Sequence, residues 1–478
     1  MLKSIDKLPC NIDVKFDVHD VAQSIKNLKC GKSPGLDGLQ AEHFKYSDLT
    51  LQCLLAMCMN FMVLHGFLPD AAMDSVIVPV IKDKKALLTD KNNYRPVAIT
   101  SVFSKILESI VLDMYQYLLV TSDNQFGFKF EHSTDLCIFG LKQIIEFYHN
   151  LSSPVYVCFL DASKAFDRLN HWVLFKKLID RGIPLIIVRL FVYWYGNQQF
   201  CIRWGNTLSN KFATSNGVRQ GGIISPVYFN IYMDGLSNDL KRSKIGCKIN
   251  GEILNHLLYA DDSCIIASSP SALQKLLNIC CEYAETNSII YNELKTKCIC
   301  FKPSNCKDLS VPALFLKRVQ LKFVNSIRYL GVIISNDMTD FEDMMRHRKY
   351  MYAKGNILVR KFKECSDSVK LRLFRTYCYN VYGGHLWSKY KTLDFHKLIV
   401  AFNDVYRLLF NVKRGVSMSE IYVNSNIDHF KIIVRKASYR FRLRLQKSDN
   451  QVVSTIMKSV FFYSYSSLNN MWLRDIFV

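Results

Sequence analysis

No run in this chain is both apolar enough and long enough to anchor it in a membrane. The opening Met1-Leu2-Lys3-Ser4-Ile5-Asp6 lacks the apolar core of a secretory leader, and Ile183 to Trp194 is too short and carries Arg189. There is no internal repeat and no low-complexity linker. The 16 cysteines include no CxxC pair and no zinc-knuckle spacing, which argues against a disulfide scaffold or a structural zinc module. Cys298, Cys300 and Cys306 lie close in sequence, but no His or second Cys pair completes a tetrahedral set. Most thiols sit in apolar runs, such as Cys53 and Cys58, or in strand patterns, such as Cys158 and Cys264. They read as reduced core residues of an intracellular protein, nuclear or cytoplasmic. Acidic residues are scarce: 41 against 62 basic ones leave a net charge of +21, which favours a polyanionic partner such as nucleic acid.

With 478 residues the chain can bury a large core shared among several subdomains. Val18 to Leu28 is amphipathic, and Leu51 to Leu64 reads as a buried helix ended by His65-Gly66. Ser75 to Ile81 is a β-branched strand pattern, and Lys248 to Ile253 a hairpin with an Asn-Gly turn. Helical patterns cover Phe341 to Phe362, Ser368 to Tyr379, and much of 392–478. Disorder is expected only at the extreme N-terminus and around Ser304 to Ser310.

The chemistry concentrates in Leu258-Tyr259-Ala260-Asp261-Asp262-Ser263, a strand–turn–strand pattern with apolar flanks. Neighbouring strand side chains face opposite ways, so a tight turn is needed to aim both carboxylates at one site. Two such charges about 4 Å apart repel by roughly 4 kcal/mol at an effective dielectric of 20, so a fold retains the cluster when cations sit on it. Hard oxygen donors suit Mg²⁺, and paired divalent ions suit phosphoryl transfer. An Asp-Asp hairpin turn is otherwise ordinary. A third carboxylate, Asp161, ends the buried strand pattern Val155 to Leu160. After it the chain turns into a helix expected to continue through Trp172 to Leu178, with Ser163 as its N-cap.

FLDASKAFD (Phe159 to Asp167), NGVRQGGIISPVYFNIYMDGL (Asn216 to Leu236) and LLYADDS (Leu257 to Ser263) resemble motifs A, B and C of reverse transcriptases. The pattern is most similar to that of LINE-type (non-LTR) retrotransposons. GKSPGLDG (Gly31 to Gly38), NNYRPVAITSVFSKILESIV (Asn92 to Val111) and QFGFKFEHST (Gln125 to Thr134) resemble that group's finger motifs. NELKTKCICF (Asn292 to Phe301) and IRYLGVIIS (Ile327 to Ser335) resemble motifs D and E. Eight blocks in the family's order are specific where no single block would be.

The resemblance implies an α+β, right-hand polymerase with fingers, palm and thumb and a helical C-terminal module. It divides the chain into a helical extension (1–75), fingers (76–149), palm (150–335), thumb (336–415) and a basic helical module (416–478). It implies RNA-directed DNA synthesis, with an RNA template, a DNA primer and dNTPs as partners. Asp161, Asp261 and Asp262 would bind two Mg²⁺ ions, with Mn²⁺ able to substitute. Phe166 stands five residues after Asp161, at the family's sugar-selecting gate, although position alone reads equally as a core Phe at a helix start. Gln220 and Gly221 would approach the nucleotide and template base. Arg219 stands where Pro is often found. Arg95 and Lys129 are candidate triphosphate or template contacts, and Arg95 is equally a candidate salt-bridge residue. Lys129 stands where many members carry Arg, so it keeps the charge without the bidentate fork. Lys295 matches the motif D lysine that could protonate the leaving pyrophosphate; a solvated lysine is its plain alternative.

Two basic runs suit sequence-independent grip on a duplex: Arg346, Arg348, Lys349, Lys354, Arg360, Lys361 and Lys363, then Lys431, Arg435, Lys436, Arg440, Arg442, Arg444 and Lys447. An amphipathic helix with a solvated polar face gives the same pattern. One departure matters. Only about thirty residues precede the first finger motif and nothing after the thumb resembles a nuclease, so target cleavage would need a separate endonuclease. A decayed nucleic-acid clamp would predict damage among the three aspartates, and none is present. A maturase- or telomerase-like protein would carry an RNA-binding extension, and none is recognised.

Overall fold

The computed structural model describes residues 14–303 and 311–476. The expected disorder at the extreme N-terminus and near Ser304 to Ser310, and Cys306 with it, fall outside these. The chain forms two compact units and passes between them repeatedly: one comprises 1–128, 162–239 and 280–291, the other 129–161, 240–279 and 292–478. Helix and sheet are mixed in both, as an α+β fold requires.

The first unit is built on helices around a five-stranded sheet. Val18–Asn27 is helical, and so is Leu49–His65, where the Asp48 carboxylate accepts the Leu51 N–H and Gly66 closes the last turn at φ 63°. The second helix departs from the expectation of burial. Leu55, Met59 and Val63 face the core, but Leu54, Met57, Phe61 and Leu64 form an exposed stripe. An all-apolar helix signals hydrophobicity without saying which side is covered. The strand Ser75–Ile81 pairs antiparallel with Tyr94–Thr100 and parallel with Gln199–Trp204. The helices Val102–Tyr115 and Leu185–Asn197 bury Ile106, Leu107, Val188 and Phe191 on their apolar faces.

In the second unit a five-stranded sheet runs in the order Lys322–Phe323, Lys297–Phe301, Val155–Asp161, Asp262–Ala267, His256–Tyr259. The central strand is buried over its first six residues and emerges only at Asp161. The Lys248 to Ile253 hairpin forms as its Asn-Gly turn dictates, with φ 51° at Asn250 and 83° at Gly251. Helix Thr134–Asn150 is anchored at its N-terminal turn, where Asp135 pairs with His385 at 3.1 Å and with Arg444. The helices Phe341–Phe362, Asp367–Cys378 and Thr392–Phe410 enclose a core in which Phe374, Leu398, Phe402 and Phe430 are fully buried.

The expected thiol burial holds for Cys158, Cys264 and Cys298, but Cys58 is exposed on the helix Leu49–His65. Among the described residues no helix is long and apolar enough to cross a membrane.

Candidate active site

The carboxylates gather at one end of the second unit's sheet. Strand Val155–Asp161 pairs antiparallel with Asp262–Ala267 in a register that sets Asp262 opposite Asp161, so both side chains leave the same face. Asp262 also pairs with Tyr259 across a two-residue turn, Ala260-Asp261. Ala260 takes φ 56°, which is uncommon for a residue other than glycine and closes the hairpin tightly. One β-ladder and its turn thus carry all three aspartates. Asp262 reaches solvent at the first position of its strand. Even so, partial burial of its carboxyl, then the charges of Asp261 and Asp161, push it up to about 6.

Among the described residues no group of three or more His, Cys, Asp or Glu side chains is drawn close enough to hold a metal ion. The donor set nonetheless fits a hard divalent cation. All three groups are carboxylates, and their mutual repulsion, felt at Asp262, is what a cation would relieve.

The base of the cluster is fixed by backbone. The Asp161 N–H donates to Thr296 Oγ1 at 3.3 Å, and the Asp161 carbonyl accepts the Asn292 N–H at 2.8 Å. The same Asn292–Thr296 turn carries Lys295, whose side chain is exposed. Behind the strand, Tyr329 packs on Phe159 at 4.9 Å and its hydroxyl lies 3.2 Å from Cys137 Sγ.

The remaining predicted residues lie in the first unit, except for half-buried Lys129 in the second. Phe166 is half-buried, stacked on Phe229 at 4.3 Å and edge-on to Phe128 at 6.0 Å. The helix expected after Asp161 is broken. Ala165–Arg168 forms one turn with Lys164, at φ 50°, preceding it, and Leu169-Asn170 interrupts before His171–Asp180. Ser163 caps neither piece; Asn170 does, accepting from the Trp172 and Val173 N–H groups at 2.9 and 3.2 Å. An Asn two residues upstream is the stronger local competitor for those donors.

Gln220 donates through Nε2 to Asp167 Oδ1 at 2.7 Å, while its carbonyl accepts the Ala98 N–H at 2.8 Å. Gly221, at φ 146°, lies so close to the strand that a Cβ would collide with the Ala98 oxygen. Arg95 projects from that same strand, exposed. Among the described residues it forms no ion pair.

Sequence reasoning missed the group that ties this loop down. Arg219 is wholly buried, paired with equally buried Glu108 and stacked over Trp194 at 4.2 Å. Glu108 also accepts the Ile223 N–H at 2.7 Å. A lone Glu on the apolar face of Val102–Tyr115 was the signal available, because a buried carboxylate demands a cation.

The sequence model of the family described as reverse transcriptase (RNA-dependent DNA polymerase) matches residues 81–334. The chain is 22% identical over 462 residues to a probable RNA-directed DNA polymerase from transposon X-element of Drosophila melanogaster, covering 93% of this chain and 49% of that protein. It is 25% identical over 393 residues to the RNA-directed DNA polymerase from mobile element jockey of Drosophila funebris, covering 77% and 41%. The chain therefore spans about half the length of the curated relatives it matches. Among solved structures, telomerase from Candida tropicalis in complex with the TWJ fragment of telomeric RNA aligns with a TM-score of 0.41 and 13% identity, over 90% of this chain and 68% of that one.

Proposed function

We propose, since this chain belongs to the reverse transcriptase (RNA-dependent DNA polymerase) family whose sequence model it matches over residues 81–334, that it extends a DNA primer on an RNA template from deoxynucleoside triphosphates. Its relatives are named for a transposon and a mobile element, which supports the retrotransposon origin that the motif order suggests. Target-primed synthesis is the fitting use. The observation that carries this reading is the register of Asp262 opposite Asp161 with Asp261 in the adjoining turn.

Those three aspartates would hold two divalent ions, Mg²⁺ by the hardness of the donors. Such ions, when bound, activate the primer 3′-hydroxyl and neutralise the triphosphate and leaving pyrophosphate. The chain's own groups do the rest. Phe166 lies under the sugar and excludes a 2′-hydroxyl. Gln220 and Gly221 line the approach of the nucleotide and template base, Gly221 with no Cβ in the way. Arg95 and Lys129 draw in the triphosphate or template. Lys295, exposed on the turn bonded to Asp161, delivers a proton to the pyrophosphate. The domain partition expected from sequence goes with this reading, from the fingers (76–149) to the basic module (416–478).

Primer extension on oligo(dT)-primed poly(rA) with Mg²⁺ tests the proposal. Extension with dTTP and not UTP, abolished in Asp261→Ala, is the expected result. Salt-sensitive RNA binding without extension, the same in both proteins, would leave a nucleic-acid clamp with a polymerase fold.

A further inference from the structure

The geometry points to the buried Glu108–Arg219 pair as the positioning element for the sugar gate, acting through the chain Gln220–Asp167–Phe166. The inference rests on the reading of Phe166 as that gate and names what holds it in place.

Every link lies within the first unit. Glu108 and Arg219 are both fully buried, and the guanidinium lies over the Trp194 ring at 4.2 Å, so Arg219 is held from two sides. Glu108 fixes the loop a second time through the Ile223 N–H, which brackets residues 219–223 between two bonds to one carboxylate. Gln220, inside that bracket, can then reach only one way: its carbonyl is taken by Ala98 and its amide by Asp167.

Asp167 is the residue next to Phe166, and the same segment is stitched to the loop by backbone. The Val218 N–H donates to the Phe166 carbonyl at 2.9 Å, and the Gly217 N–H to the Leu169 carbonyl at 2.7 Å. Gly217 lies so close that a Cβ there would stand 2.7 Å from the Asp167 oxygen. The single turn Ala165–Arg168 is too short to hold its own geometry, so its place is set by these contacts. A gate that rejects one oxygen atom tolerates little displacement, and a shift of about 1 Å is enough to matter. Glu108 and Arg219 act through the loop they brace, so their effect on the gate is read in the ratio of the two substrates.

The test compares kcat/KM for dTTP and UTP in wild type, Phe166→Ala, Asp167→Ala, Asp167→Asn and Glu108→Gln. Phe166→Ala is expected to collapse the dTTP preference. Asp167→Ala should lower the preference at least fivefold, mainly by admitting UTP, and Asp167→Asn, which keeps an acceptor oxygen for Gln220, should restore it. Glu108→Gln should move the ratio in the same direction as Asp167→Ala; if it does not fold, exposed Asp167 still decides the question. An unchanged ratio in Asp167→Ala, with Phe166→Ala having lowered it, overturns the inference and leaves the gate. A ratio unmoved by Phe166→Ala overturns both.

Discussion

Asp262 stands directly opposite Asp161 across the central β-ladder, and Asp261 occupies the turn beside it. Three carboxylates are therefore held together by backbone pairing, which persists whether or not their charges are balanced. The unfolded chain ionises Asp262 near the ordinary value of 3.8, but the folded chain does so only at about 6. Between those values the folded state binds more protons, so without divalent ions its stability falls as pH rises. Mg²⁺ should then raise the melting temperature more at pH 8 than at pH 5. Asp262→Asn should leave the Mg²⁺-free protein at pH 8 as stable as wild type or more so, and shrink the Mg²⁺ increment. Polymerisation should fall by roughly two orders of magnitude or more, the scale of losing one preorganised electrostatic group. Equal Mg²⁺ increments at the two pH values would sink this account.

His256 and His347 work in the opposite direction. Burial, followed by the charge of Lys241, holds His256 down at about 3. Burial and then Arg346 hold His347 at about 4. The unfolded chain takes up these protons near 6.5 while the folded chain refuses them, so stability is lost as pH falls below 6.5. At about 1.4 kcal/mol per pH unit, each histidine costs roughly 2 kcal/mol by pH 5. Chemical denaturation of the Asp262→Asn protein, which lacks the opposing term, should show this acid loss cleanly. His256→Gln, whatever it costs at pH 7, should remove the share of the slope that His256 contributes, roughly 2 kcal/mol by pH 5. A flat profile from pH 7 to 5 would rule the mechanism out.

How much of this was legible in the sequence follows from what each signal reports. A continuous β-branched run ending on Asp161 specifies a buried strand and its exit, and the Asn250-Gly251 turn specifies a hairpin. The helix Phe341–Phe362 matches its periodic pattern residue for residue. Periodicity, however, says which residues share a face and not what covers it. The exposed stripe of Leu49–His65 was therefore invisible, as was the commitment of Arg444 to Asp135. Ser163 lost to Asn170 as a cap because Leu169 breaks the helix, which the apolar pattern could not register. Glu108 and Arg219 are 111 residues apart, and nothing local announces their pairing.

Gly221 tests the motif B loop by steric means. A Cβ there would run into the Ala98 oxygen, and φ 146° is a conformation that side chains rarely adopt. The Gln220–Ala98 hydrogen bond lies beside the clash, so Gly221→Ala should lift the loop from the strand. Extension should drop about 100-fold, on the scale of a 1 Å misplacement at a reacting centre. Gly205→Ala is the control: it also has positive φ, 60°, but nothing lies within 4 Å of its Cβ. It should cost about 1 kcal/mol of stability and leave extension intact. If Gly221→Ala extends primers as well as Gly205→Ala does, the close approach has no functional consequence.

The two basic runs should separate by salt dependence. On Phe341–Phe362, Lys349, Arg360 and Lys361 are exposed, and Lys354 is held between the rings of Tyr350 and Tyr377 at 4.4 and 5.4 Å. A surface of exposed cations beside exposed aromatic rings suits a phosphate backbone. Arg444 and Lys436 are committed internally, to Asp135 and Asp428. Replacing Lys349, Arg360 and Lys361 with Ala should weaken binding to a primer–template duplex. It should also flatten the slope of log affinity against log salt by about 0.9 for each phosphate no longer neutralised. Arg444→Ala removes a charge of the same sign from the same half of the chain. It should leave that slope unchanged and lower stability by about 1 kcal/mol or less, as a half-exposed ion pair does. Titrations over a range of salt concentrations, alongside thermal melts, decide between them. Equal slope changes per charge removed, about three times larger in the triple variant than in Arg444→Ala, would mean that the basic surface acts through net charge alone and that no helix face is specialised for the duplex.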